Sequence, residues 1–320
     1  MTNNDNVYNN SKRTWYELKP TLVDCAAPFD FNLVKLKNTG YIFLGTAIFA
    51  PFFINILISY MFKHNEYALA GMNFISWIIV AVGSYFVISG AQSEIMRSGA
   101  IYFYYFYFIP NIIGLVIGTI VNQFHPSYSI QTTINLLTLI ISGLVTIFIF
   151  YRSSPLIFEK IKLTLKQDCK RLFVVCSISI IAVFSIHLFF VYLQLLITAT
   201  TSNNQNNLIK GLDKWWNIAF LFIYTILIAP VIEELATRHG IFSLSGNKWL
   251  GFVASTIFFA GMHVSGTGDW EHFIGYIGAS LTLGMLFLIV NGNVTYTIIP
   301  HAGYNCIVAI LILAAPKFLA

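Results

Sequence analysis

Charge is the first thing this chain has little of. Of its 320 residues only 10% are Asp, Glu, Lys or Arg, against about 25% in ordinary soluble domains. Apolar and aromatic types fill 57% of the chain and the mean hydropathy is +0.73. That balance excludes a soluble enzyme, a disordered chain and a nucleic-acid binder. Cysteine is sparse as well: Cys25, Cys169, Cys176 and Cys306 form no CxxC and no paired spacing, which argues against a disulfide framework and a thiolate zinc site. No HExxH pair occurs, and no long-period repeat. Residues 1–39 hold no apolar signal segment, and the internal Cys25-Ala26-Ala27-Pro28 run is not a lipidation box, which is read only at a C-terminus.

What fills the chain is apolar runs. A spanning helix takes about 20 mostly apolar residues. Segments near 40–62, 68–90, 99–121, 130–151, 172–200, 215–245, 249–264, 272–290 and 294–315 fit that length, with short polar joints between them. The expectation is an all-α polytopic membrane protein of about nine transmembrane helices, within a range of seven to nine. It divides into a cytosolic, partly disordered tail (1–39), N-terminal transmembrane helices (40–200) and a C-terminal four-helix core (215–315). Lys and Arg orient such proteins, because inner loops retain them. With the N-terminus inside, thirteen of the 18 fall on the inner side and four outside, Arg238 lying within a span. The expected place is the cell membrane, multi-pass, with the N-terminus cytoplasmic. Gly114-x-x-x-Gly118 fits a small-residue helix contact and is given no functional weight. His187, alone in the fifth span, reads as a packing residue.

The last hundred residues differ from the rest. Within apolar surroundings they carry Glu233, Glu234, Arg238, His239, His263, His301 and Asn305. Ionisable groups inside a membrane are expensive, which makes them functional candidates. Glu234 and Arg238 stand at i,i+4 with the acid first, the favourable order for an ion pair. Glu233 is turned away by about 100° and stays unpaired by that arginine. Two neighbouring carboxylates in different surroundings take different roles. Glu233 is the expected base, Glu234 its structural partner. Phe259 and His263 share the i,i+4 spacing, as do His301 and Asn305. A hairpin with its turn near 246–248 brings Glu233 and His263 to nearly equal depth, at about 20 Å along their helices. Pro230 and Pro300 flank the cluster and predict kinks.

Glu233-Glu234-x-x-x-Arg238, Phe259-x-x-x-His263 and His301-x-x-x-Asn305 resemble, in this order, the EExxxR, FxxxH and HxxxN motifs of the CPBP family: CAAX proteases and bacteriocin-processing enzymes, also called the Abi family. The resemblance covers about residues 215–315. It departs at one position, where His239 stands between Arg238 and Gly240 and adds a side chain near the site. It implies an intramembrane glutamic endopeptidase with no cofactor and no metal. Glu233 and His263 would activate a water, and His301 and Asn305 would hold the oxyanion. Glu234, Arg238 and Phe259 would support them. The implied partners are the lipid bilayer and a membrane-associated peptide or protein substrate, with no nucleic acid. The Asn/Ile/Phe/Lys-rich composition looks bacterial, which favours processing of a bacteriocin or pheromone peptide, or self-immunity to one. Three other readings stand beside this. His263, His301 and Glu233 would make a His2Glu zinc site, although Asn305 is a poor zinc ligand and a good oxyanion donor. A non-catalytic immunity or scaffold protein would use the motifs for structure alone. A transporter would place charges along an ion path, but the first half holds no inverted copy of the cluster.

Overall fold

The computed structural model describes residues 14–62, 65–198 and 212–314. The early part of the tail, Lys12 and Arg13 included, lies outside them, as do Lys63, Lys210 and Lys317 of the charge count. Among the described residues there are helices and no strands. After a short helix α1 (Leu22–Ala26) come α2 (Leu36–Met61), α3 (Glu66–Ser98), α4 (Tyr102–Asn122), α5 (Tyr128–Ser153), α6 (Pro155–Gln167), α7 (Cys169–Leu195), α8 (Trp215–Leu244), α9 (Lys248–Ser265), α10 (Phe273–Ile289) and α11 (Thr295–Ala314). Eight of these are long and apolar enough to cross a membrane, counting α10 with the turn before it and leaving out α1, α6 and α9. The count falls within the expected range.

The ninth expected segment is α9, with 18 residues. It runs the length of the bundle. Its first residue, Lys248, meets Glu17 at 3.2 Å, while Gly268 just beyond its end packs on Leu69 and Ser59 at the opposite end. Enclosed by protein over much of its surface, it needs less hydropathy than a helix facing lipid. Local signals set the boundaries. The Asn247 side chain accepts from the N–H groups of Trp249 and Leu250 and caps α9. Gly246 before it takes φ +68° and Gly99 closes α3 at φ +76°, a region that disfavours side chains.

The loops assigned to one side by their charge do gather at one end. The Ser154 hydroxyl donates to the Arg97 carbonyl (2.8 Å), and Lys248 reaches Glu17. There the structure departs from the loose tail expected. Residues 14–35 form an ordered strap. Leu18 N–H donates to the Ile289 carbonyl (2.8 Å), and Asn291 Nδ2 donates to the Leu18 carbonyl (2.9 Å). Asp24, in a capping box with Thr21, accepts from Asn293 Nδ2 at 2.9 Å and lies 3.8 Å from Lys160 of α6. Burial draws the Lys160 ammonium below its ordinary pKa while Asp24 pushes it back up.

The two halves share one apolar core. Phe43 of α2, Phe103 of α4, Phe242 of α8 and Phe287 of α10 all belong to it and are fully buried. Gly114 and Gly118 do not make the contact expected of them: a Cβ at either would meet nothing within 4 Å. Close glycine contacts lie elsewhere, among them Gly83 against Thr46 and Gly143 against Ile228.

Candidate active site

Helix α8 carries both glutamates and is not a regular rod. It widens into π-type turns at Ile223–Ile228 and again at Leu235–Gly240, on either side of Ala229–Glu234. Such bulges occur often at functional sites, because they re-aim side chains without ending the helix. Glu233, Glu234, Arg238 and His301 are all buried.

Arg238 is the anchor. Its Nε stands 3.3 Å from Glu234 Oε2, an ion pair between two fully buried side chains. The pair is a close charge contact rather than a directed hydrogen bond, since neither atom finds a partner in good geometry. The remaining guanidinium nitrogens turn to α9 and α10, NH1 donating to the Ser255 hydroxyl and NH2 lying 3.5 Å from that of Ser280. The guanidinium also sits over the Phe259 ring, 5.0 Å from its centre. A charge without water is thereby met on three sides.

His301 joins the two acids. Its Nδ1 is 3.0 Å from Glu234 Oε1, and its Nε2 is 3.7 Å from Glu233 Oε2, too long for a hydrogen bond. Since a carboxylate only accepts, these partners assign the proton to Nδ1. Glu234 is therefore committed on both oxygens, while among the described residues the ion partner nearest the Glu233 carboxylate is the far nitrogen of His301, beyond hydrogen-bond reach.

Phe259 lies at the centre of the cluster. Its ring touches Arg238, His263 (5.0 Å) and His301 (5.5 Å, edge to face). His263 Nδ1 stands 2.8 Å from the Phe259 carbonyl, which makes it the donor and leaves Nε2 with a lone pair. The other face of His263 stacks on Tyr276 at 4.9 Å. Asn305 is the remaining expected residue. Its Nδ2 donates to the Thr225 carbonyl of α8 at 2.8 Å, which uses one of its two N–H groups.

The structure thus links Glu233, Glu234, Arg238, Phe259, His263 and His301 through direct contacts, with Asn305 one turn beyond His301. His239 does not join them. Its Nε2 lies 2.6 Å from the Ser98 carbonyl and its ring packs on Phe29 and Tyr102, away from the glutamates. The side chain expected near the site thus belongs to the strap end of the bundle. His187 packs edge-on against Tyr304 at 5.3 Å. Sequence reading missed Ser255 and Ser280. A signal existed for the first, because Ser255, Phe259 and His263 form one stripe at successive spacings of four. Among the described residues, no group of three or more His, Cys, Asp or Glu is placed to hold a metal ion.

A helical, multi-pass membrane protein with two buried glutamates, two histidines and an amide on adjacent helices has the make-up of a membrane peptidase. Residues 215–307 match the Rce1-like family, described as type II CAAX prenyl endopeptidase Rce1-like, so this part of the chain is similar to the CAAX-protease (CPBP) family. The class is that of a CAAX-type intramembrane protease. Along 320 aligned residues the chain is 25% identical to an uncharacterized protein of Mycoplasma capricolum subsp. capricolum, covering 93% of this chain and 94% of that one. It is 29% identical over 124 residues to the UPF0177 protein YbdI of Lactococcus lactis subsp. lactis, covering 39% of this chain and 65% of that protein. No solved structure matches the chain.

Proposed function

We propose that this protein hydrolyses a peptide bond within the membrane by glutamate-activated water. The observation that carries the reading is the unequal state of the two acids. Arg238 and His301 hold Glu234, while Glu233 keeps its carboxylate available. Glu233 takes a proton from a water, with the His263 Nε2 lone pair beside it as a second acceptor. The hydroxide adds to the peptide carbonyl, and no covalent acyl-enzyme forms. The oxyanion is held by two donors: the second N–H of Asn305, whose first is fixed by Thr225, and Nε2 of His301, which is fixed through Nδ1 by Glu234 and donates from Nε2 in its imidazolium form. Collapse returns the proton from Glu233 to the leaving amine and releases an acid and an amine. Donors held in place before charge develops are worth most where water is excluded.

On this reading residues 215–315 are the catalytic core. The chain sits in the cell membrane with its strap end cytoplasmic, supported by the gathering of the Lys- and Arg-bearing loops there. The substrate is a membrane-associated peptide, with a bacteriocin or pheromone precursor, or self-immunity to such a peptide, as the biological setting.

The test compares cells expressing the wild type with cells expressing Glu233→Gln at equal membrane abundance, by mass spectrometry of membrane and secreted peptides. Fragments that vanish while their precursors accumulate identify the substrate. Loss of the base should slow cleavage by about 10²–10⁴. Matching profiles with a retained immunity phenotype would replace the protease reading with a binding one. Cleavage lost to a chelator and restored by zinc would favour the metal alternative.

A further inference from the structure

The first bulge of α8 has a cause in its sequence and a consequence at the site. In the widened turn the Ala229 N–H closes onto the Tyr224 carbonyl, five residues back. The next donor in that ladder belongs to residue 230 and would reach Thr225. Residue 230 is proline and has no N–H. A carbonyl left open inside a membrane is costly, because no water comes to meet it. The donor arrives from another helix: Asn305 Nδ2, 2.8 Å from Thr225 O. The bulge is also supported from behind. Ile228 presses onto α5 at Gly143, where a Cβ would lie 2.3 Å from Ile228 Cγ2.

We infer that Pro230 and Thr225 are positioning residues for the Asn305 amide. The N–H missing at 230 exposes one carbonyl, and that carbonyl fixes one Asn305 N–H. The planar amide then fixes the direction of the second. The inference rests on the protease reading for what the second N–H does, since there it is an oxyanion donor. It does not rest on that reading for the clamp itself. The bulge also leads directly into Ala229–Glu234, so the clamp holds the turn that presents both glutamates to His301.

The test uses full-length protein in detergent as wild type, Asn305→Ala, Pro230→Ala and the double variant. Pro230→Ala returns an N–H that can reach Thr225. Asn305→Ala alone opens the carbonyl and should lower the melting temperature by roughly 3–6 °C, the usual penalty for a buried unmet group scaled to a chain of this size. In the Pro230→Ala background the same change should lower it by less than about 1 °C, as expected when two sites share one interaction. Asparagine labelled with ¹⁵N gives a readout that packing alone does not move. The Asn305 side-chain protons, assigned by their loss in Asn305→Ala, should show one bonded and one unbonded proton in the wild type, and two unbonded in Pro230→Ala. Equal melting losses in both backgrounds, or an Asn305 signal indifferent to Pro230→Ala, overturn the inference. Should Pro230→Ala fail to fold, Asn305→Asp decides the matter. It sets acceptor against acceptor and should melt below Asn305→Ala, and a wild-type melting point overturns the clamp. Turnover separates the two readings. On the precursor that accumulates with Glu233→Gln, Pro230→Ala should lower kcat at unchanged KM, toward the ~10²–10³-fold loss of a missing oxyanion donor. If no peptide depends on Glu233, the protease reading falls while the melting cycle still decides the clamp.

Discussion

Two helices of the same mean hydropathy live in different surroundings. The most apolar stretches of α4 and of α10 with its preceding turn both score 1.7, yet 6% of the first is buried and 56% of the second. Hydropathy reports that a helix can enter a membrane, not whether it then meets lipid or protein. Small residues show the difference. In α4, Gly114 and Gly118 face open space. In α10, a Cβ on Gly278 would lie 2.9 Å from the Ile186 carbonyl of α7, and one on Gly275 would lie 2.2 Å from Gln194 Oε1. The same residue type is idle on one helix and the point of contact on the other. The outer helices keep large apolar side chains outward, such as Ile112 and Leu115, and the inner ones hold the polar groups that lipid would not tolerate.

This contrast can be pushed hardest at Arg238. Arg238→Ala leaves Glu234 buried without its counter-ion, at about 3–5 kcal/mol. Membrane abundance, read by quantitative blotting, should collapse, whereas Leu115→Ala on the lipid side should leave it unchanged. Normal abundance and full activity of Arg238→Ala would sink the ion-pair assignment. Next comes Asn305→Ala, expected to fold and to lose roughly 10²–10³ in rate; unchanged turnover would remove Asn305 from the site. Glycine gives a smaller and sharper contrast. Gly278→Ala should cost about 1–3 kcal/mol by overpacking, while Gly114→Ala should be silent in the same thermal melt, and equal effects would erase the distinction between the helices. The smallest effect lies in the strap. Partial burial pushes the Glu17 carboxyl up, but hydrogen bonds from Thr14 and Lys248 outweigh it and hold its pKa below the ordinary value. A depressed carboxylate stabilises above its unfolded pKa, so this contribution fades as pH falls through about 4.3 and below. It should amount to no more than about 1 kcal/mol. The protection of backbone amides at residues 14–20, taken relative to the intrinsic exchange rate at each pH, should fall there in the wild type and stay constant in Glu17→Gln.

The candidate site was legible because each motif is a pair one helical turn apart, and polar or ionisable groups within an apolar run have few innocent explanations. Glu234 with Arg238 needed nothing beyond i,i+4 geometry. What sequence could not supply was lateral. Ser255 and Ser280 are ordinary small polar residues until Arg238 is placed between α9 and α10. The motif implied an oxyanion role for Asn305, but what anchors its amide is hidden until Pro230 is seen to expose the Thr225 carbonyl. His239 reads as a neighbour of Arg238, yet the widened turn at Leu235–Gly240 sends it to Ser98. The strap was hidden for another reason. It lacks apolar periodicity, and its order comes from bonds to residues far along the chain, Lys160 and Lys248 as well as Ile289, Asn291 and Asn293.

Those distant bonds impose an order of events on assembly. Leu18 and Asp24 leave the ribosome before α2 does, but Ile289, Asn291 and Asn293 are made only with the end of α10 and the turn after it. Until α10 and the turn after it are made, the strap has only part of its dock, with Lys160 for Asp24 and Lys248 for Glu17, and its Phe29 has neither Phe287 nor Gly292 to lie against. It can lock only once α10 and the turn into α11 are present. A segment made ahead of α2 is thus among the last to be fastened. A chain cut short before residue 289 would leave the strap undone.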